Sequence, residues 1–156
     1  MSDPLTFHMG KFPAVLPGDR LYSRNHLWAQ RQDTGRWRFG FTSYAVRLMQ
    51  DVYFLTWTVD AGDPVALLQE IGHVETSKAE SDLFSPLKGT LTTFNDALLA
   101  DPSGINVDAY GAGWLYEIDS DDVSVLMDVS AYHQFLADNW DKTQLLIKGK
   151  INTEED

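Results

Sequence analysis

Cysteine is absent from this 156-residue chain, which excludes a disulfide framework, a zinc-thiolate site and a catalytic thiol. Any redox chemistry must therefore come from an added group. Basic residues are few: 12 Lys and Arg stand against 23 Asp and Glu, and the formal charge of −11 disfavours nucleic acid and anionic membranes, both polyanions, as partners. Long apolar runs are missing too. The opening residues Met1-Ser2-Asp3-Pro4-Leu5-Thr6-Phe7-His8 carry neither a basic n-region nor an apolar stretch, and nothing downstream reaches membrane-spanning length, so no membrane partner and a cytoplasmic location are expected. Catalytic signatures are lacking as well: there is no Gly-x-Ser-x-Gly elbow, no His-Glu-x-x-His pair and no phosphate-cradling Gly-Lys-Thr loop, and the four histidines are dispersed. Asp119, Asp121 and Asp122 lack the glycine that a calcium loop needs and read as a solvated acidic turn. No catalytic residue and no metal ligand is expected.

What is present is strand-like, at a length that predicts one domain over residues 1–156 able to fold without metals or disulfides. Trp37, Phe39 and Phe41 alternate with Arg36, Arg38 and Gly40, the period of a half-buried strand. Leu27 to Arg31 precedes them, and Asp33-Thr34-Gly35 supplies a hairpin turn. Further strands are expected over residues 53–59, 65–75, 89–94 and 114–118, with Ala61-Gly62-Asp63-Pro64 and the loop Asp101-Pro102-Ser103-Gly104 between them. Short strands with Gly and Pro turns indicate a sandwich or barrel. Helical signals are confined to residues 42–49, with a hydroxyl available as N-cap, and residues 128–140, where Tyr132, Phe135, Leu136 and Trp140 fall at core-packing spacing. Residues 1–19 form an N-terminal extension, and the acidic tail 151–156 is expected to fray.

Lys78 is the most informative residue. Within Glu75-Thr76-Ser77-Lys78-Ala79, ahead of Ser85-Pro86-Leu87-Lys88-Gly89, it reads as a lysine held out on a turn, a handle for a cofactor, with an ordinary surface cation as the alternative that only the surrounding motifs outweigh. Asn95-Asp96-Ala97-Leu98 and Tyr110-Gly111-Ala112-Gly113-Trp114-Leu115 follow, and Tyr22-Ser23-Arg24-Asn25-His26-Leu27-Trp28 and Gly40-Phe41-Thr42-Ser43-Tyr44-Ala45 precede. These motifs, in this order over roughly residues 20 to 140, resemble the H protein of the glycine cleavage system. The resemblance implies a mainly β, hammerhead-type barrel-sandwich hybrid with short peripheral helices and a C-terminal helix. It also implies a non-enzymatic carrier with lipoic acid attached covalently to Lys78 as lipoamide. A biotin carrier fits less well, because that family sets methionines on both sides of its lysine, where Ser77 and Ala79 stand here.

Glu75, Glu80 and Asp82 lie close to Lys78 in sequence and would not activate its amine, so the attaching enzyme must remove that proton. Glu75, Ser77, Ala79 and Asp82 are candidate recognition marks for a lipoate ligase or transferase, with a solvated charge cluster as the alternative. His26, beside Trp28 in a strand, is a candidate neighbour of the arm or a structural hydrogen-bonding residue. Met49-Gln50-Asp51 stands where Leu-Gly-Asp is typical of the H-protein pattern, Leu27 replaces an acidic residue, and Ser77 replaces a valine. These departures weigh against glycine-specific partners, and the apolar opening from Phe12 to Tyr22, with Asn25-His26-Leu27-Trp28-Ala29 and Glu75-Thr76-Ser77-Lys78-Ala79, looks like the lipoate-binding carriers of the heterodisulfide-reductase-like bacterial sulfur oxidation pathway. That subfamily implies a swinging arm shuttling sulfur intermediates to a heterodisulfide-reductase-like complex. The alternatives are an H protein passing an aminomethyl group among glycine cleavage enzymes, and an H-like binding module that is never lipoylated. A carrier that docks several enzymes in turn is expected to be a monomer.

Overall fold

The computed structural model describes residues 2–151. In chain order these form β1 (Leu5–Met9), β2 (Phe12–Leu16), β3 (Leu21–Tyr22), β4 (Leu27–Arg31), β5 (Trp37–Phe41), α1 (Ser43–Met49), β6 (Val52–Trp57), β7 (Pro64–Val65), β8 (Glu70–Thr76), β9 (Glu80–Phe84), β10 (Gly89–Phe94), α2 (Asp96–Ala100), α3 (Gly104–Val107), β11 (Tyr116–Asp119) and α4 (Val129–Ile151). The expected hairpin is there: β4 pairs with β5 from Leu27↔Phe41 to Arg31↔Trp37, and Gly35 turns between them at φ 90°, backbone that suits glycine. It sits inside a six-stranded sheet of order β3-β4-β5-β11-β10-β7, while β6, β8 and β9 make a separate antiparallel sheet. The main core gathers Phe39, Leu55, Ile71, Val74, Leu91 and Ile118 from both sheets with Leu87 and Leu115 from connections, each side chain contributing about 1.5–3 kcal/mol by burial. The expected mainly β, barrel-sandwich architecture with a C-terminal helix is what forms.

Several local expectations need correction. The chain opens on a hairpin earlier than the one anticipated: residues 1–19 include β1 and β2, which pair around Gly10-Lys11, with Gly10 at φ 64°. Leu5, Phe7 and Met9 alternate with Thr6 and His8, a strand signal within the N-terminal extension that sequence reading missed. Helices are not confined to two places either. Asn95 caps α2 by accepting from the Ala97 amide at 3.3 Å, and the stretch read as the loop 101–104 leads directly into α3. The expected helix at residues 42–49 does form, with the Thr42 hydroxyl accepting from the Ala45 amide at 3.2 Å. The C-terminal helix continues well past Trp140. Ile151, expected in the tail, ends it, and residues 152–156 lie outside the described residues.

A second core joins β1, β2 and α4 to the rest through Phe7, Met9, Leu16, Tyr22, Trp28, Tyr44, Tyr132 and Leu136. Tyr22 and Tyr132 stack at 4.7 Å, and Trp140 meets Phe7 edge-on at 5.5 Å. Among the described residues, no helix is long and apolar enough to cross a membrane.

Candidate functional site

Lys78 lies at the tip of the β8–β9 hairpin. The ladder runs to Glu75↔Glu80, the Thr76 amide donates to the Ala79 carbonyl at 2.9 Å, and Ser77 and Lys78 are left as the apex. Thr76 fixes its shape. Its half-hidden hydroxyl donates to the Ala79 carbonyl at 3.1 Å and accepts from the amides of Lys78 at 3.2 Å and Ala79 at 3.1 Å. The turn is also tied to its neighbour, because the Ser77 amide donates to the Asp51 carbonyl at 3.0 Å. Ser77, Lys78, Ala79 and Glu80 are all exposed, while Thr76 beneath them is buried. The hairpin thus offers a lysine to solvent on a root that is hydrogen-bonded on both sides.

Sequence reading missed Thr76 and Asp51 as the residues that set the turn. A hydroxyl two positions before the lysine, able to bond the backbone two and three residues on, was the available signal for Thr76. No local pattern pointed to Asp51, which reaches the turn from beyond α1.

The acidic residues near Lys78 converge on a histidine. His73 and Glu75 share one face of β8, and the register places Asp82 opposite His73 and Glu80 opposite Glu75. His73 Nδ1 stands 3.2 Å from Asp82, and its Nε2 lies 3.6 Å from Glu80 and 3.8 Å from Glu75. Phe54 pairs with Glu75 on the adjoining strand and is also exposed. His73 was not singled out from the sequence, although the period-two spacing His73, Glu75 along a strand marks a shared face. Among the described residues, no cluster has the make-up of a metal site.

His26 belongs elsewhere. It takes φ 69° in the turn between β3 and β4, its Nδ1 faces the Tyr132 hydroxyl at 3.0 Å, and its ring packs on Tyr44 at 4.9 Å and Phe135 at 6.0 Å. Those contacts are with α1 and α4, so the structure makes it a structural hydrogen-bonding residue and does not bring it to the Lys78 turn. Burial lowers its pKa to about 4, keeping the ring neutral. A chain of hydrogen bonds continues from Tyr132 to Thr42 at 3.0 Å.

The other motifs brace the frame. Asn95 donates to the carbonyls of Ala112 at 2.9 Å and Trp114 at 2.7 Å, tying the glycine-rich loop to the cap of α2. Gly113 is required there, since a Cβ would stand 2.5 Å from the Gly104 carbonyl oxygen.

Residues 20–139 match the family model described as glycine cleavage H-protein. The glycine cleavage system H protein of Myxococcus xanthus is 40% identical over 124 residues, covering 78% of this chain and 95% of the relative. The H protein of Cronobacter sakazakii is 34% identical over 131 residues, covering 79% of this chain and 97% of the relative. The crystal structure of a glycine cleavage system H protein from Mycobacterium marinum superposes with a TM-score of 0.69 at 35% identity, covering 80% of this chain and 98% of that one. With the family model matched over residues 20–139 and relatives 34% and 40% identical covered almost whole, the chain belongs to the glycine cleavage H-protein family.

Proposed function

We propose that this protein is a lipoyl carrier whose attachment residue is Lys78, working with the enzymes of glycine cleavage. Glycine cleavage H proteins carry lipoamide covalently on a lysine and are not enzymes themselves. The observation that carries the assignment to Lys78 is its place at an exposed hairpin apex braced by Thr76. Such a turn fits an amide-bonded arm: Lys78 is exposed at the apex, where an attaching enzyme can approach, and the root stays on paired strands while the arm moves. When attached, the group supplies a dithiolane that a cysteine-free chain cannot offer itself. The protein's own residues hold the root, and tethering raises the concentration of the carried group near a docked partner. Glu75, Glu80 and Asp82, gathered about His73 on the face leading to the turn, are the marks we assign to the lipoate ligase or transferase.

Sulfur transfer to a heterodisulfide-reductase-like complex is the second reading. The relatives above are glycine cleavage proteins and lend it no support. What favours it is the β1–β2 hairpin, which lies before the matched residues 20–139, together with Leu27 and Ser77 at positions where the H-protein pattern differs.

Intact mass and peptide mapping of protein from its native host test both. A lipoyl amide on Lys78, absent from Lys78→Arg, is the expected result, and a further sulfur or aminomethyl mass on the arm selects the pathway. Lys78 without lipoate, in cells that lipoylate their other carriers, overturns the assignment and leaves the unlipoylated binding module.

A further inference from the structure

Leu68, in the turn between β7 and β8, sits at φ 63°. The two other non-glycine residues with positive φ among the described residues have local reasons: Gln50 closes α1 as its C-cap, and His26 is of a type enriched in left-handed backbone and is hydrogen-bonded there. Leu68 has neither. Its bulky side chain is disfavoured in this conformation, and it is 61% exposed, so it gains little by packing. The turn itself is fixed by backbone groups and the Gln69 side chain, not by the leucine side chain. The Leu68 amide donates to the Ser85 carbonyl at 2.9 Å, the Gln69 amide to Ala66 at 3.1 Å, and the Gln69 side-chain oxygen accepts from the Ala66 amide at 2.9 Å. An asparagine or glycine would satisfy the same bonds without the steric cost, so the leucine serves something that the isolated fold does not use.

Its apolar neighbours are exposed too. Leu67 is 49%, Phe84 41% and Val125 41% accessible. The Leu68–Ser85 hydrogen bond sets Leu68 beside the end of β9 at Phe84, and Leu67 and Val125 line one surface cavity of about 520 Å³. Single exposed apolar residues need no explanation, but a gathered group marks an interaction site. The cavity wall carries Asp119, Asp121 and Asp122 against a single cation, Lys88. A second copy of this chain would bring those aspartates against their own kind, a repulsive juxtaposition. A partner with lysines or arginines around an apolar socket meets both features.

We propose that Leu67, Leu68, Phe84 and Val125, rimmed by Asp119, Asp121 and Asp122, form a docking surface for a partner enzyme that presents an apolar socket ringed by basic side chains. The surface lies at the end of β8 opposite Lys78, and a strand of seven residues spans roughly 20 Å. A partner seated there holds the carrier without covering the turn, so the root of the arm keeps its freedom. Naming that partner as the enzyme that loads the arm rests on the lipoyl-carrier reading.

The test titrates the Lys78→Arg carrier, which cannot be acylated, into the host's glycine-decarboxylating enzyme and, in parallel, into its heterodisulfide-reductase-like complex. Calorimetry reads Kd at low and moderate salt. One enzyme is expected to bind, and adding Leu68→Asn weakens Kd about tenfold, the effect of losing a central apolar anchor. Asp121→Lys weakens it about threefold and flattens its salt dependence, because a rim charge acts through screened Coulomb attraction. Leu68→Asn melts no lower than its parent, since asparagine tolerates the left-handed turn. Leu99→Ser, at an exposed apolar residue of α2, leaves Kd unchanged. The proposal is overturned by an unchanged Kd for Leu68→Asn, by no binding to either enzyme, or by sedimentation in which the parent self-associates and Leu68→Asn does not. Because the titrations use a carrier without an arm while lipoylation is read by mass, failure of the surface and failure of the carrier reading give different results.

Discussion

The Lys78 turn is shaped by four hydrogen bonds confined to residues 76–79, whereas the core beneath α4 draws Phe7, Tyr22, Trp28, Tyr44 and Tyr132 from five separate elements. The first is local and exposed, and the second is long-range and buried. The contrast separates two jobs that one domain must do. A tip held by its own hydroxyl can change its outermost residue without disturbing the sheets, and a core assembled from distant segments supplies rigidity without contributing a side chain to the tip.

The largest effect that tests this separation is at Lys78. Lys78→Arg keeps a cation at the tip but removes the only acylatable amine there, so lipoylation at this site and carrier activity are expected to vanish while the melting temperature stays within about 2 °C, as for surface substitutions worth under about 0.5 kcal/mol. Mass spectrometry and a thermal melt check both halves. Tyr132→Ala should do the opposite. It removes the stacking partner of Tyr22 and orphans the bonds to His26 and Thr42, costing about 4 kcal/mol and lowering the melting temperature by roughly 10 °C. At temperatures where it remains folded, Lys78 should still be lipoylated at the normal rate.

The same contrast explains what the sequence could reveal. The Lys78 turn was legible as a motif because residues 75–79 are adjacent in the chain, although the Asp51 carbonyl that ties it was not, and the β4–β5 hairpin was legible because alternation and a glycine turn are adjacent too. The partnership of Phe7 with Trp140 was not legible, since no period or spacing links the two ends of the chain. His26 was placed in doubt for a similar reason. Its neighbours along the chain suggested a strand residue near the arm, but its surroundings are decided by Tyr44, Tyr132 and Phe135, which arrive from helices elsewhere. Glu75, Glu80 and Asp82 were legible as chain neighbours of Lys78, but their gathering about His73 depends on the β8–β9 register, which the sequence did not show.

Acid should find the second core before it finds the turn. His26 titrates at about 4 in the folded protein and near 6.5 unfolded, so at intermediate pH the unfolded chain binds a proton that the native one refuses. The native state therefore has its full stability above pH 6.5 and loses it as pH falls towards 4, by about 3 kcal/mol at most from this residue. The groups that face the ring offer no compensating negative charge. Tyr44 and Tyr132 have raised pKa values, chiefly through burial, and remain neutral throughout this window. His26→Asn tolerates the left-handed backbone and cannot take up the proton. Denaturant melts at pH 7 and pH 4.5 should show the variant losing less stability between the two than the wild type.

The smallest effect belongs to the turn. Thr76→Val keeps the shape of the buried side chain but leaves the Lys78 and Ala79 amides without their acceptor and the Ala79 carbonyl without the hydroxyl donor. The Thr76 to Ala79 backbone bond and the Ser77 link to Asp51 remain, so the hairpin persists, and the loss should be about 1 kcal/mol, the size of a typical net hydrogen bond. Hydrogen exchange should therefore accelerate at the amides of Lys78 and Ala79 and stay unchanged at those of Tyr132 and Leu136. Lipoylation should slow without stopping, because the amine is still exposed but its root is less firmly fixed. Equal acceleration in both regions would mean that the tip and the aromatic core open together, and the division of labour between them would fail.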